Sequence, residues 1–468
     1  MTEAPTSLIG AVLSSQDKPL IEAPPSDDND FVYPVTDFPP LSAFEIKIDH
    51  PALIIPAKMT AELRKSLKGV ILDRPKMRFI VPVSDTDKTP SDDTTNRKDF
   101  RKLVLENKPD VYDHDIISDL LKSGKCCKGI QTMTISYNDW TVDEALRRLL
   151  PVKEVPSSFE VIGHLVHVNL RDEVLPYKYF VGKVILDKLA PRIKTVVNKI
   201  GTIETEYRTF GMEIIAGRST PGWSEVMLKE EGCEYHLDFR TVYWNSRLGG
   251  EHRRLVDEIR RDARRRQNSG DDSPLVVADL MAGIGPFAVP LTSKRDNIYV
   301  WANDLNPSSF KYLQINSKKN RCENLNCFNM DGRAFCHKLQ DDGIDFHHVC
   351  MNLPASAPEF LDAFRGFSGK SLPRIHVHCF GPKVIPDAEK ESIARCSEAL
   401  GCSLDMEKDD VFVHTVRDVS PKKNMYCVSF TLPEAVRALP RIEITPRESE
   451  EEPSSEEPDL KKAKTSTQ

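Results

Sequence analysis

A short glycine-rich turn near the middle of the chain has residue types that could hold a nucleotide. Gly283 and Gly285 stand between an apolar segment and a predicted helix, in the run Gly283-Ile-Gly285-Pro-Phe-Ala288. Glycines at a strand-to-helix turn let the backbone approach a ligand closely. Asp304 follows the next apolar segment, where its carboxylate can accept hydrogen bonds from both hydroxyls of a ribose. These residues fit a dinucleotide as well as S-adenosylmethionine, so the glycines alone do not separate the two ligands.

Three further positions favour S-adenosylmethionine. Asp279 precedes the turn, where it would crowd a pyrophosphate but suits the positively charged methionine group. Asp331-Gly332 follows the third predicted strand, where an acidic side chain can meet the adenine amine. Asn352-Leu353-Pro354 closes the fourth strand, and an Asn/Asp-x-Pro element there holds the target base in amino- and ring-nitrogen methyltransferases. Each carboxylate could instead be a helix cap or a turn residue, but four such sites at successive strand ends favour one shared ligand site.

The segment that carries these positions alternates between strands and helices, which predicts a parallel sheet with helices on both faces. The apolar runs predict strands at Leu275–Leu280, Ile298–Ala302, Asn326–Asn329, His347–Met351, Arg374–Phe380, Val411–Val416 and Met425–Leu432. Helices are predicted at Pro307 to Asn320 and Ile385 to Leu400. Only Asp418 to Asn424 joins the last two strands, which is too short for a helical crossover. The prediction is therefore an α/β fold, a class I Rossmann-like methyltransferase domain with a parallel sheet and an antiparallel last strand.

Small α+β domains are expected before this domain. Residues 46–150 show a mixed α/β pattern without a recognisable chemical motif, and residues 158–246 are predicted to form a second small domain. In residues 158–246 we predict a strand at Phe159–Val168, a helix from Tyr179 to Ile200, and strands at Met212–Ala216 and Tyr235–Tyr243. The methyltransferase domain is placed at 247–440. Residues 1–45 and 445–468 are rich in Pro, Ser and acidic residues and are expected to be disordered.

The composition limits the class of protein. With 468 residues, 40% apolar and 29% charged, the chain is typical of a soluble globular protein of two or three domains. No apolar run approaches the roughly 20 residues that span a bilayer, so no membrane is expected as a partner. The net charge of -7 argues against a general polyanion binder. The segment from Arg253 to Arg266 nevertheless holds seven arginines, which fit either contacts with nucleic-acid phosphates or an ordinary solvated helix.

The cysteines and the N-terminus indicate the compartment. The 11 cysteines are an odd number without a regular framework, which suggests a reducing environment. Cys322, Cys327, Cys336 and His337 lack the short paired spacing of zinc sites, so no metal is expected. Residues 1–45 contain no arginine and no secretory signal. We therefore expect cytoplasm and nucleus, unless another start codon adds a presequence.

The sequence closely resembles the tRNA (guanine-N1)-methyltransferases that modify guanosine 37, in their archaeal and eukaryotic class. The segments that carry the resemblance are Tyr207–Glu213, Val242–His252, Asp279–Phe287, Ala302–Pro307, Asp331-Gly332 and Asn352–Pro354. The family often has Pro-Arg-Leu-Ser-Thr-Glu where this chain has Ser246-Arg-Leu-Gly-Gly-Glu251, with the spacing from Arg247 to Glu251 kept. The resemblance also leaves a mitochondrial location open.

The resemblance implies a role for individual residues. It implies cofactor contacts from His252, Asp304, Leu305, Asp331, Gly332 and Asn352. Glu251 matches the family's proposed general base, and Arg208 matches the arginine that contacts the target guanine. The implied partner is tRNA, through its anticodon stem-loop and wider L-shape, with residues 46–150 as a tRNA-recognition domain. The implied oligomeric state is a monomer.

These residue types suit methylation of guanine N1. That nitrogen carries a proton at neutral pH, which Glu251 can remove, while Arg208 can stabilise the charge that develops on O6. Asn352 can hydrogen-bond the purine edge or the cofactor, and Pro354 stiffens the turn. Without the resemblance, Glu251 could be an ordinary helix N-terminal carboxylate and Arg208 a surface ion-pair residue. The main alternative function is transfer of the aminocarboxypropyl group of the same cofactor in tRNA wybutosine synthesis, which has less use for an Asn-x-Pro clamp.

Overall fold

The computed structural model describes residues 20, 37–74, 77–90, 97–201, 210–294, 296–384 and 387–444. The chain forms two compact units. The first extends to Lys229 and also contains Glu234–Arg247, and the second contains Glu230–Cys233 and the chain from Leu248 onward. The finer division into three domains stays a prediction. Within the described ranges, no helix is both long and apolar enough to cross a membrane.

The first unit begins with an antiparallel sheet of order β2-β3-β1-β4. Its strands are β1 (Ile46–Pro56), β2 (Ile80–Pro82), β3 (Phe100–Val104) and β4 (Cys127–Ile135), and its helices are α1 (Thr60–Ser66), α2 (Asp115–Lys122) and α3 (Val142–Leu149). A 3-10 helix at Leu41–Phe44 precedes them. The prediction of disorder up to residue 45 is therefore wrong at its end, because the fully buried ring of Phe44 packs against Tyr137 at 4.8 Å.

A second sheet in this unit has the order β5-β6-β7-β8. Its strands are β5 (Glu160–Ile162), β6 (Leu165–Val168), β7 (Thr195–Ile200) and β8 (Gly211–Gly217), its helix is α4 (Lys178–Leu189), and a hairpin of β9 (Glu225–Glu230) and β10 (Cys233–Asp238) follows. The strand predicted at Met212–Ala216 is confirmed as the centre of β8. The strand predicted at Tyr235–Tyr243 ends early, because the carbonyl of Asp238 accepts the N–H groups of Thr241 and Val242 in a turn.

Two other predictions in this region are wrong. The helix expected from Tyr179 to Ile200 stops at Leu189 and is followed by β7. Pro191 cannot continue a helical hydrogen-bond ladder, and the β-branched run that starts at Thr195 favours a strand. The single strand expected at Phe159–Val168 is a hairpin of β5 and β6, because Gly163 turns the chain at a φ of +57°.

The second unit is built on a seven-stranded sheet of order β13-β12-β11-β14-β15-β17-β16. Its strands are β11 (Leu275–Asp279), β12 (Ile298–Asn303), β13 (Leu325–Phe328), β14 (His348–Met351), β15 (Arg374–Pro382), β16 (Phe412–Ser420) and β17 (Lys423–Thr431). β11 to β15 pair in parallel, whereas β17 is antiparallel to both of its neighbours. This arrangement confirms the predicted fold class, including the antiparallel final pair.

Helices cover both faces of this sheet. They are α5 (Gly249–Asn268), α6 (Ala288–Thr292), α7 (Pro307–Lys319), α8 (Gly332–Asp341) and α9 (Asp387–Leu400). Leu255 and Ile259 of α5 pack with Val277 on one face. Phe335 of α8 packs with Ala278 on the other face. The strand order reverses beside β11, and ligands of open α/β sheets bind at the carboxyl ends of the strands at such a point.

Candidate functional site

The glycine turn directly follows β11. Gly283 has a φ of +56° and Gly285 a φ of +98°, which side chains rarely adopt. A Cβ atom at Gly285 would lie 2.7 Å from Val289 Cγ2 and 2.8 Å from Leu313 Cδ1. A Cβ atom at Gly283 would meet no atom within 4 Å. Gly285 therefore allows the turn to pack, while Gly283 leaves its backbone open to a ligand.

Asp304 fastens the end of β12 to this turn. Its Oδ2 accepts the Gly283 N–H at 2.8 Å, and its Oδ1 accepts the Asn306 N–H at 2.9 Å. Burial raises the pKa of Asp304, although these N–H donors oppose the rise. Behind it, the Asn303 side chain donates to the carbonyls of Leu280 and Met330 at 3.2 and 2.9 Å. The ends of three adjacent strands are thus held in a fixed arrangement.

Asp279 is a fully buried carboxyl group whose two oxygens lack a hydrogen-bond partner of good geometry among the described residues. Burial and the nearby Asp304 raise the pKa of Asp279 to about 8, while the Met281 N–H and His378 oppose them. The buried Oδ1 of Asn352 also lacks a partner. Unpaired buried acceptors are unfavourable. The predicted methionine group, which carries an ammonium and a sulfonium, has the charge and the donors to satisfy them.

The next predicted contacts surround the same strand ends. Asp331 caps α8 by accepting the N–H groups of Arg333 and Ala334 at 2.9 and 3.2 Å. Gly332 is buried, and a Cβ there would lie 3.3 Å from the Phe360 ring. The carbonyl of Leu305 accepts the side-chain N–H of Asn329 at 3.0 Å. The capping role that was the alternative for Asp331 is thus realised, and it uses one carboxylate oxygen.

Pro354 is buried at the end of the segment that follows β14. Its carbonyl accepts the Phe380 N–H at 3.1 Å, which ties the Asn352–Pro354 turn to β15. Asn352 is only half-buried. A fixed turn with a partly exposed amide is suited to presenting Asn352 to a ligand.

Glu251 lies in the first turn of α5 and is 5% exposed. Arg254 donates to both carboxylate oxygens, at 2.7 and 2.8 Å, and Nε2 of His378 lies 2.8 Å from Oε1. Burial acts to raise the pKa of Glu251, but the hydrogen bonds from Arg254 and His378 outweigh it and lower the pKa to about 2. The side chain is therefore an anion that hydrogen bonds fix in place, at a helix N-terminus that further favours negative charge.

Aromatic contacts join this carboxylate network to the glycine turn. The ring of Phe287 stacks on His378 at 6.0 Å and meets the His252 ring edge-on at 5.1 Å. Nδ1 of His252 lies 2.6 Å from Oε1 of Glu230. The second unit thus brings together Glu251, His252 and the strand-end residues that the sequence predicted. Arg208 lies outside the described residues, and its role stays a prediction.

The sequence did not indicate that Arg254 and His378 are partners of Glu251. The available signal for His378 was the run His376-Val-His378 in an apolar strand, because alternate residues share one face of a strand. Donor atoms of Glu251, His378 and Cys427 lie within 4.8 Å of one another, a spacing that metal ligands also use. The guanidinium of Arg254 already neutralises this carboxylate, and its charge would oppose a metal cation there.

Comparison with known proteins assigns the family. Residues 142–220 match a family model described as the TYW2 N-terminal domain, and residues 226–405 match one described as the TRM5/TYW2 methyltransferase domain. The chain is similar in fold to the crystal structure of Trm5b from Pyrococcus abyssi, with a TM-score of 0.53, 24% identity, and coverage of 82% of this chain and 99% of that one.

Curated relatives match over nearly the whole length. A protein named tRNA (guanine(37)-N(1))-methyltransferase 1 from Phaeodactylum tricornutum is 50% identical over 447 residues, which cover 94% of this chain and 98% of the relative. A tRNA (guanine(37)-N(1))-methyltransferase from Schizosaccharomyces pombe is 36% identical, with 81% and 90% covered. This chain therefore belongs to the tRNA (guanine(37)-N(1))-methyltransferase family.

Proposed function

We propose that this protein transfers the methyl group of S-adenosylmethionine to N1 of guanosine 37 in tRNA. The observation that carries the proposal is the buried anion of Glu251, whose partner His378 stacks on Phe287 of the glycine turn. A carboxylate beside a methyl-donor site is what removal of the N1 proton requires. The names of the relatives supply the position of the guanosine.

The cofactor would bind at the carboxyl ends of β11 to β14. Asp279 and Asn352 have unpaired buried acceptors for its cationic methionine group, and the open backbone at Gly283 admits the ligand. Asp304 would accept hydrogen bonds from the ribose, and Asp331 would face the adenine. The bound cofactor supplies an electrophilic methyl group on a positively charged sulfur.

Glu251 acts as the general base in this proposal. N1 of guanine becomes more acidic as it gains the methyl group, so even a carboxylate of low pKa can take its proton late in the step. Arg254 and His378 keep that carboxylate ionised and fixed in direction. Arg208 would stabilise the charge on O6, and Asn352 would hold the purine edge beside the donor.

The exposed face of α5 is the proposed contact for tRNA phosphates. Arg254, Arg260 and Arg266 form ion pairs with carboxylates of the same unit. A second group of arginines on this helix is exposed and has no carboxylate within 4.0 Å among the described residues: Arg261, Arg264 and Arg265. Exposed guanidinium groups without a carboxylate partner on one helix suit a polyanion, and they favour the nucleic-acid interpretation over that of a merely solvated helix.

The alternative, aminocarboxypropyl transfer, is less well supported, because the relative that matches 94% of the chain is named a guanosine-37 methyltransferase. Two labelled cofactors distinguish the reactions. With unmodified tRNA, label in the methyl group should enter the tRNA as 1-methylguanosine, and label in the carboxyl carbon should not. Transfer of the carboxyl label would contradict the proposed reaction.

A further inference from the structure

A row of mostly buried polar side chains lies beneath α5, where an apolar helix–sheet contact would be expected. We refer to this row as the polar ladder. Its members, in order, are Glu251, His378, Cys427, Ser429, His376, His348 and Asp262. Both ends of the ladder belong to α5, separated by three turns of helix.

The first half of the ladder begins at Glu251, the proposed base. Oε1 of Glu251 lies 2.8 Å from Nε2 of His378. Nδ1 of His378 lies 3.4 Å from the Met351 carbonyl, so Nε2 is the nitrogen that faces the row. Sγ of Cys427 lies within 4.8 Å of the donor atoms of both Glu251 and His378. Cys427 Sγ is then 3.8 Å from Oγ of Ser429. His378, Cys427 and Ser429 are all 0% exposed, whereas Oε2 of Glu251 also lies 3.7 Å from Nε2 of the partly exposed His414.

The second half reaches the surface. Oγ of Ser429 lies 2.8 Å from Nδ1 of His376, and Nε2 of His376 lies 3.0 Å from Nδ1 of His348. Nε2 of His348 lies 3.2 Å from Oδ2 of Asp262. The side chain of Asp262 is 36% exposed, so the ladder ends in contact with solvent.

The register of the sheet creates this row. In the antiparallel pair of β15 and β17, His376 faces Ser429 and His378 faces Cys427. Burying a polar group costs free energy unless the group forms hydrogen bonds, and hydrogen bonds in a network strengthen one another. The ion pairs of Glu258 with Arg254 and Arg374 flank the ladder at 2.9 and 3.5 Å. Groups that can both donate and accept protons thus lie between the buried carboxylate of Glu251 and the partly exposed carboxylate of Asp262.

We infer that the polar ladder carries the proton that Glu251 removes from guanine N1 to solvent at Asp262. The inference rests on the proposed function. As N1 bonds to the methyl carbon, the carbon–sulfur bond breaks with its electron pair left on sulfur, and the N1–H proton passes to Glu251. His378 holds Glu251 through Nε2, and the proton passes from Glu251 to Cys427. Cys427, Ser429, His376, His348 and Asp262 then each receive one proton and give one up, so that one proton leaves Asp262 to water and no oxidant or reductant is needed. The ladder is an exit for the proton while guanosine and cofactor occupy the proposed site.

The test compares Asp262→Asn with Asp257→Asn, which removes the same charge from an exposed position on the same helix outside the ladder. Methyl transfer and proton release are followed together in a single turnover, the latter with an indicator dye. For Asp262→Asn we expect methyl transfer to slow about tenfold, less than the loss of a primary base would cause, with a larger solvent deuterium isotope effect. Added imidazole should restore the rate, and a merely structural defect would not respond to it.

A second variant interrupts the middle of the ladder. His376→Gln should show the same isotope effect with unchanged cofactor affinity, and the affinity also reports whether this buried substitution is folded. If the wild-type protein is active and Asp262→Asn matches Asp257→Asn in every measurement, the relay is wrong and the proposed function stands. A wild-type protein that transfers no methyl group to N1 would overturn the proposed function and the relay with it.

Discussion

At the scale of residues, Glu251 shows how neighbours set the charge of a proposed base. Burial alone would favour the neutral acid, but two hydrogen bonds from Arg254 and one from His378 keep the anion. The sequence could place Glu251 at a helix start by its resemblance to a family. It could not identify His378 as a partner, because His378 is 127 residues away in the chain.

Replacing Glu251 should affect the chemical step and spare cofactor binding. Glu251→Gln keeps the shape but removes the proton acceptor, so the single-turnover rate should fall about a hundredfold or more. Since the pKa of Glu251 is lowered to about 2, the side chain stays ionised at any pH well above that value. Its protonation should therefore not lower the wild-type rate in that pH range. Rapid-quench assays across pH and calorimetric titration with S-adenosylmethionine measure both quantities. A rate unchanged by the substitution would remove Glu251 as the base.

Asp279 gives a prediction about protons released on cofactor binding. Its pKa is raised to about 8, so in the free protein at pH 7 it is mostly protonated. A bound cation stabilises the carboxylate, so binding at pH 7 should release a proton and affinity should rise as pH approaches 8. Above that pH the release should vanish, since the group is already ionised.

Calorimetry in buffers of different ionisation enthalpy measures this release. Asp279→Asn should weaken binding and abolish the release, whereas Asp405→Asn, at an exposed position, should change neither. Binding enthalpies that are independent of the buffer in the wild-type protein would contradict this role of Asp279.

At the scale of elements, the two glycines of the turn have separable roles. Gly285→Ala combines a positive φ with close contacts to Val289 and Leu313, so it should lower the free energy of unfolding by about 2–4 kcal/mol. Gly283→Ala has no such contacts, so only its positive φ should lower the free energy of unfolding, by about 1 kcal/mol. Its methyl group would stand in the open space where the ligand is proposed to bind. In urea unfolding, Gly285→Ala should therefore be the less stable of the two variants. In titrations with S-adenosylmethionine, Gly283→Ala should be the variant with the weaker affinity. Equal stability losses with equal affinities would refute this division.

The strands of the second unit could be predicted to within a few residues, because long apolar runs alternate with amphipathic helices there. The Tyr179 to Ile200 helix failed because its apolar residues at helical spacing continue past Pro191 into a β-branched strand. The prediction of one strand across Gly163 failed because, in the sequence, two short strands joined by a tight turn resemble one long strand. Both errors arise where a local backbone constraint overrides the hydrophobic pattern.

At the scale of the whole molecule, the assignment depends on the combination of features in the second unit. A Rossmann-like sheet with two glycines is common to many enzymes. A relative that is 50% identical over 94% of this chain narrows that set to one family, and the buried carboxyl groups of Asp279 and Glu251 are consistent with the proposed reaction. The roles of Arg208 and of the first unit in binding tRNA could be predicted only from the family resemblance, because no local sequence pattern indicates recognition of the shape of a tRNA.

Methylation at N1 of guanosine 37 is tested by changing that single nucleotide of the tRNA. The full-length protein is incubated with S-adenosylmethionine tritiated in the methyl group and with unmodified tRNA transcripts that carry G or A at position 37. We predict label in the G transcript, recovered as 1-methylguanosine, and background label in the A transcript. Equal labelling of the two transcripts would contradict the account.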